Sequence, residues 1–338
     1  MNETLRPQVL RIGILGAARI APSAICIPAA VMGHRLVVVG ARELSKAERF
    51  RERWGVESAV EGYEAVVNHP DVDLVYNGLP NSHHAQWNIA ALNAGKHVLS
   101  EKPFASNYEE AKSVAEVAAH STGKIIEAFH YQYHPTIKRA IEIVNSGEIG
   151  DIVSVTSALN ISPPGDSDIR WSLALAGGAL MDLGCYALHI QRRLSLALFG
   201  EEPTLISAVS REGRPGVDSF MEAKVAYKNG AAGTISCDME FTHFECPLRI
   251  VGTKGELYLP SFVQPASDDR IVVTVGGRSR TEQTTRISTY TWQLQAFAEE
   301  IAGRSEGLGG MKDALANATF IDDIYRAAGM EPRPALLL

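Results

Sequence analysis

The first 130 residues alternate between short apolar runs and longer segments in which apolar residues recur at helical spacing. The strand-like runs are VLRIGIL, LVVVGA, VDLVYN, KHVLS and KIIEAF, separated by stretches rich in Ala, Glu and Lys. Two of those stretches carry terminal chemistry. Ser106 followed three residues later by Glu109 reads as a capping box ahead of AKSVAEVAA, and Gly95 follows HAQWNIAALNA where a left-handed C-terminal cap belongs. Continuously apolar strands separated by helices predict a parallel sheet covered on both faces, with ligands at the carboxyl ends of its strands. A linking helix is expected over TIKRAIEIVNSG, where Ile137, Ile141 and Val144 share one face and Gly147 ends the pattern.

Beyond residue 150 strand-like runs follow one another directly: IVSVTSALNI, LISAVSREG, FMEAKVAYK, AAGTISCDME, LRIVG, ELYL and IVVTVGG. Asn229-Gly230 between two of them is a hairpin signal. One helix, around GALMDLGCYALHIQRRLSLALFG, interrupts the series, and TWQLQAFAEEIAG and MKDALANATFIDDIYRAAG close the chain as helices. The expected architecture is α/β: an N-terminal doubly wound parallel Rossmann sheet over residues 1–130, then a C-terminal α+β domain over 131–338 built on a large open, mainly antiparallel sheet. The last helix is expected to pack back on the first domain.

Composition narrows the function classes. The 338 residues are 46% apolar and 21% charged, as in an ordinary globular protein of two domains. No run of 18 or more apolar residues predicts a membrane span, and MNETLRPQVLRIG lacks the basic patch and apolar stretch of a secretory signal. Cys26, Cys185, Cys237 and Cys246 are scattered without a C-x-x-C pair, which argues against a metal site or disulfide framework and for a reducing, cytoplasmic setting. The formal charge of −7, with no Lys/Arg-rich run, argues against a nucleic-acid partner.

The chemistry begins at RIGILGAARIAPSA. The dinucleotide-binding frame G-x-G-x-x-G/A here reads Gly16-Ala17-Ala18-Arg19-Ile20-Ala21. Gly16 keeps the tight-turn role and Ala21 is an accepted third residue, but Ala18 puts a methyl group where backbone normally approaches the pyrophosphate. By itself the motif suits an ordinary β-to-α connection as well as a cofactor turn. Its place after a strand, before a helix, in the first βαβ unit, favours the cofactor turn and its residues Gly16, Ala18, Arg19 and Ile20. At the end of the second strand, where an NAD site carries an acid, stand Arg42 and then Ser45 and Lys46, with Glu43 adjacent. A guanidinium suits a 2′-phosphate, so the reading favours NADP over NAD; the alternative for Arg42 is a solvated surface charge.

Further motifs accompany this turn: Pro80-Asn81 and His84 in VYNGLPNSHHAQW, Glu101-Lys102-Pro103 in LSEKPFA, EAFHYQYHP, and GGALMDLGCYALH. Together they resemble the Gfo/Idh/MocA oxidoreductase family over nearly the whole chain; within it, GAARIA and DLGCY look most similar to the branch of dimeric dihydrodiol dehydrogenase and NADP-xylose dehydrogenase. That branch tolerates a side chain at the second glycine position. The resemblance implies Lys102, Asp182 and Tyr186 as catalytic residues, with Tyr186 where many members carry histidine and His189 at a position often Asp. It also implies cofactor contacts from Pro80, Asn81, His84, Glu101, Lys102, Arg170 and Trp171. Substrate contacts would come from Lys102, His130, Asp182 and Tyr186. For Asn81 and His84 a structural role in the turn is the alternative. His130 and Gln132 depart from the family's common Met and Arg, and Pro103 is a candidate for a cis peptide.

The chemistry fits these residue types. Reduction of a carbonyl needs a hydride and a proton, and a phenol is a poor proton partner near neutrality unless a cation tunes it. Lys102 is the candidate cation, and Asp182, four residues before Tyr186, falls on the same helical face. The expected activity is NADP-dependent interconversion of a hydroxyl and a carbonyl on a sugar, cyclic polyol or diol. Tyr186 would serve as general acid or base, and a homodimer or homotetramer would form through the C-terminal sheet. Two alternatives remain: an NAD-retaining enzyme that processes glycosides, and a non-enzymatic NADP-sensing regulator.

Overall fold

The computed structural model describes residues 9–336; the start of the stretch tested above for a secretory signal lies outside the described residues. Six strands form the first sheet: β1 (Arg11–Leu15), β2 (Arg35–Ala41), β3 (Ser58–Glu61), β4 (Leu74–Asn77), β5 (His97–Ser100) and β6 (Ile125–Glu127). Their order is β3-β2-β1-β4-β5-β6, every neighbouring pair parallel. Side chains alternate between two apolar cores, Ile12, Ile14, Leu74, Tyr76 and Leu99 into one, Leu15, Val38, Val75 and Val98 into the other. Both faces are buried, which is why these strands read as near-continuous apolar runs. Strand order reverses between β1 and β4, and the crevice outside their carboxyl ends is where such sheets bind ligands.

The helices of this half are α1 (Ile27–Met32), α2 (Leu44–Trp54), α3 (Glu64–Val67), α4 (His84–Asn93) and α5 (Tyr108–Ala118), and α6 (Pro135–Asn145) leads out of it. Gly95 and Gly147 hold the left-handed φ values, +70° and +74°, that the helix-end readings require. The capping box of α5 sits one residue later than the sequence reading. Asn107 Oδ1 accepts from Glu110 N at 3.0 Å and the Glu110 carboxylate reaches back to Ser106 N at 3.0 Å, while Ser106 Oγ is buried without a partner. Asn caps at least as well as Ser, so packing chose the frame.

Eight strands form the second sheet: β7 (Ile152–Asn160), β8 (Thr204–Arg214), β9 (Val217–Ala226), β10 (Ala232–Asp238), β11 (Leu248–Gly252), β12 (Gly255–Leu259), β13 (Ile271–Val275) and β14 (Arg278–Glu282). Their order is β14-β13-β12-β11-β7-β10-β9-β8, antiparallel throughout except for the parallel pair β7 and β10. That pair arises because the buried helix α7 (Cys185–Phe199) crosses over between β7 and the β8–β10 meander. The segment Leu173–Phe199 is long and apolar enough to resemble a membrane span, but 78% of its apolar window is buried inside the protein, as expected of a core helix. The closing helices α8 (Thr289–Ile301) and α9 (Met311–Ala327) return to the first half: Leu294 and Phe297 join the Ile12 core, Ala314 and Ala318 the Val38 core.

Candidate functional site

Past the ends of β1, β2, β4 and β5 a cleft of about 790 Å³ runs between the first sheet and the segment 165–186 of the second half. Gly16, at φ +87°, ends β1 and donates its N–H to Gly40 O at 2.9 Å. A Cβ there would strain the left-handed backbone and crowd Leu79 at 3.1 Å, so the turn needs glycine. Ala17, Ala18, Arg19 and Ile20 line the cleft next to it. Arg42, just past β2, lines the same end and, among the described residues, makes no ion pair. Lys46 lines the same end; Glu43 does not, but its carboxylate accepts from Lys46 at 2.6 Å.

The turn after β4 supplies Pro80 and Asn81, and Asn81 Nδ2 donates across the cleft to Ala176 O at 2.9 Å. His84 lines the cleft yet is buried. Its ring nitrogens lie 2.7 Å from Pro103 O and 2.7 Å from Leu79 O, so it ties the β4 turn to the β5 turn. Burial pushes this imidazole down to about 4, against the pull of the two carbonyls, and the neutral ring donates to one of them. Glu101 accepts from Tyr76 Oη at 2.8 Å, and burial raises its carboxyl above the ordinary range.

Lys102 follows, with a cis peptide to Pro103. Its Nζ donates to Asp182 O at 2.8 Å and Asp182 Oδ1 at 3.0 Å, and lies 5.1 Å from the centre of the Tyr186 ring. Burial is the largest single influence and works against its charge, but Asp182, Cys185 and Glu101 together outweigh it and raise its pKa. Asp182 is opposed by burial too, yet Lys102 and Arg170 hold it down to about 2. Arg170 closes the other side, Nε to Asp182 Oδ2 at 2.5 Å. The carboxylate is thus charged at every working pH and has a cation on each oxygen. Tyr186 is different. Desolvation, reinforced by Tyr290 and Glu101, raises its phenol well above the usual tyrosine range, so it holds its proton. The ammonium lies over its ring and bonds to Asp182, so the tuning of an ionised phenol anticipated from sequence is not the arrangement seen.

The glycines of G-G-x-x-x-D-x-G explain how these groups meet. A Cβ on Gly178, whose φ is +128°, would fall 2.1 Å from Asp218 Oδ1, so only glycine lets the segment carrying Asp182 lie this close to β9.

Two of the expected contact residues do not line the cleft. Trp171 does not line the cleft: its indole donates to Pro164 O at 3.2 Å and its ring lies under Arg214, because successive residues of the turn Ile169–Trp171 diverge and Arg170 faces inward. His130 is buried behind the cleft floor, its ring 4.0 Å from Tyr290 and 5.6 Å from Tyr186, and burial lowers its imidazole to about 3. His189 is likewise internal, between Tyr131 and Asp313. Conversely Tyr290, at the start of α8, and Asp168 line the cleft without any local sequence signal.

Residues 10–129 match a family model described as the GFO/IDH/MocA oxidoreductase family with an NAD-binding Rossmann fold, and residues 137–258 match the GFO/IDH/MocA C-terminal domain. The chain is 32% identical to D-xylose 1-dehydrogenase (NADP(+)) 2 of Haloferax volcanii, over 94% of this chain and 96% of that protein. It is 30% identical to trans-1,2-dihydrobenzene-1,2-diol dehydrogenase of Bos taurus, over 66% of this chain and 65% of that protein. A crystal structure of a 3-ketoreductase from Actinomadura kijaniata in complex with NADP and TDP-benzene superposes with a TM-score of 0.86 at 27% identity, covering 95% of this chain and 98% of that one.

Proposed function

The chain belongs to the GFO/IDH/MocA oxidoreductase family, and on that premise we propose that it interconverts a hydroxyl and a carbonyl on a sugar, cyclic polyol or diol, with NADP as the hydride carrier. One observation carries the reading: a protonated phenol, Tyr186, and an ammonium, Lys102, meet at one end of a cleft whose other end carries the guanidinium of Arg42, which has no ion-pair partner among the described residues. The cleft fits a dinucleotide by its donor set, a tight glycine turn at the end of β1 and a cation past β2. Bound there, the reduced nicotinamide supplies a hydride. The protein's own residues supply the rest. Tyr186 delivers its proton to the substrate oxygen as the alkoxide develops, Lys102 stabilises that charge, and Asp182 and Arg170 fix the lysine.

NADP is preferred over NAD because Arg42 faces the cleft and Glu43 does not. Replacing Arg42 by Ala is expected to weaken NADPH by about tenfold to a hundredfold and NADH within about threefold, as for loss of one charge-assisted hydrogen bond. Fluorescence titration with both cofactors measures it, and an unchanged ratio of affinities would discard the 2′-phosphate assignment.

The sheet face opposite α7 carries Val209 and Tyr258 beside the polar Thr156, Thr234 and Arg249. Cover by a second copy of this face is the economical solution, a two-fold pairing of identical patches. Light scattering is expected to return a dimer or tetramer; a monomer at tens of micromolar would be evidence against it.

A further inference from the structure

Among the described residues, two bonds tie the segment 161–178 to the first half, one on each side of the cleft. Arg19, in the turn after β1, donates to Asp168 Oδ2 at 3.0 Å. Asn81, in the turn after β4, donates to Ala176 O at 2.9 Å. Those two turns flank the switch point of the sheet, where a dinucleotide crosses. Residues 168–176 therefore span that crossing, tied to the first half on both sides of it.

Asp168 is the branch point of this span. Its Oδ2 takes the Arg19 guanidinium, while its Oδ1 accepts from Arg170 N and Nη1, both at 3.1 Å. Arg170 passes its Nε to Asp182. Charges alternate without a break from the cofactor turn through Arg19, Asp168 and Arg170 to Asp182 and Lys102. The Asp168 side chain is only 11% exposed although its partner Arg19 is 88% exposed, so the carboxylate is anchored and the arginine reaches it from the solvent side.

We infer that Asp168 is a positioning residue: it holds this span closed as a roof over the dinucleotide and, through Arg170, fixes the Asp182 carboxylate that Lys102 shares. A single exposed ion pair adds little to folding. Its effect belongs to the opening of the roof, and so to the release rate of the cofactor. The inference rests on the proposed reading of the cleft as the NADP site.

The test is stopped-flow displacement of NADPH from the full-length protein, wild type against Arg19→Ala, Asp168→Asn and the double variant. Each single change is expected to speed release about threefold to tenfold, and the double variant no more than the faster single, because both remove one tie. Asp168→Asn should also lower kcat more than Arg19→Ala does, since it alone loosens Arg170, and Asp168→Glu should recover part of both losses. A folding midpoint measured alongside is expected to stay near wild type in all variants, which separates positioning from general destabilisation. Release within twofold of wild type in both single variants, or a double variant showing the product of the single effects, overturns the inference while NADPH binding itself stands. Failure of the wild-type protein to bind NADPH would instead remove the reading of the cleft, and this inference with it.

Discussion

Replacing Lys102 by Met is expected to lower the rate of carbonyl reduction by about 10²–10⁴-fold while leaving NADPH affinity within a few-fold of wild type. The ammonium is a poor candidate for a cofactor anchor because two of its donors are already committed to Asp182 and it lies over the Tyr186 ring. Its removal leaves the Asp182 carboxylate with Arg170 on one oxygen, so the charge is not stranded and the fold is expected to hold. What is lost is a fixed positive charge where the substrate oxygen becomes negative.

Tyr186→Phe should cost a similar factor by removing the proton, and the double variant should cost far less than the product, because residues that act as a unit are not additive. The pH profile supplies the sign. The reductive step uses the protonated phenol, whose pKa lies above the ordinary tyrosine range, so its rate should stay level through neutral and mildly alkaline pH and fall only beyond that range. Oxidation needs the proton gone and should speed up as pH rises. A Lys102→Met enzyme that reduces its substrate at the wild-type rate would take the lysine out of the chemistry.

Much of the fold was legible because buried strands must be apolar. β1, β2, β4, β5 and β6 announce themselves, whereas β3 (SAVE) and β14 (RSRTE) do not, since their side chains bury little surface; β6 is an edge strand too, but its three residues are buried and so are mostly apolar. The site divides in the same way. Lys102 and Asp182 lie in motifs whose backbone demands, a strand-end turn and a Gly178 that admits no Cβ, leave a mark on the sequence. Tyr290 leaves none, because it reaches the cleft through the packing of α8 on the first half, more than 100 residues along the chain from Tyr186. Trp171 and His130 show the opposite failure. Trp171 sits in a short turn beside Arg170, which does face the cleft, and only the turn geometry decides which neighbour points inward; His130 opens the turn His130–Tyr133, whose four residues are all buried behind the cleft.

Asp218→Asn is expected to destabilise the protein by about 3–5 kcal/mol, a large part of the roughly 5–15 kcal/mol that holds a folded domain together. Asp218 and Arg333 are both almost wholly buried and ion-paired. The arginine also donates to Gly177 O at 2.6 Å and Gly216 O at 2.8 Å, and the carboxylate accepts from Tyr325 Oη at 2.9 Å and Leu180 N at 2.7 Å. Neutralising the acid strands a guanidinium in the interior, and a buried unpaired charge is worse than no charge at all. The same argument predicts that Arg333→Met added to Asp218→Asn should recover stability relative to the single variant, since the stranded charge is then gone. The consequence reaches the cleft: Asp218 holds Leu180 N, two residues before Asp182, and Arg333 holds the Gly177 carbonyl at the start of the same turn. Denaturant titration of the two single variants and the double decides the matter; if the double were no more stable than Asp218→Asn alone, the loss would lie in the carboxylate's own hydrogen bonds and not in the abandoned charge.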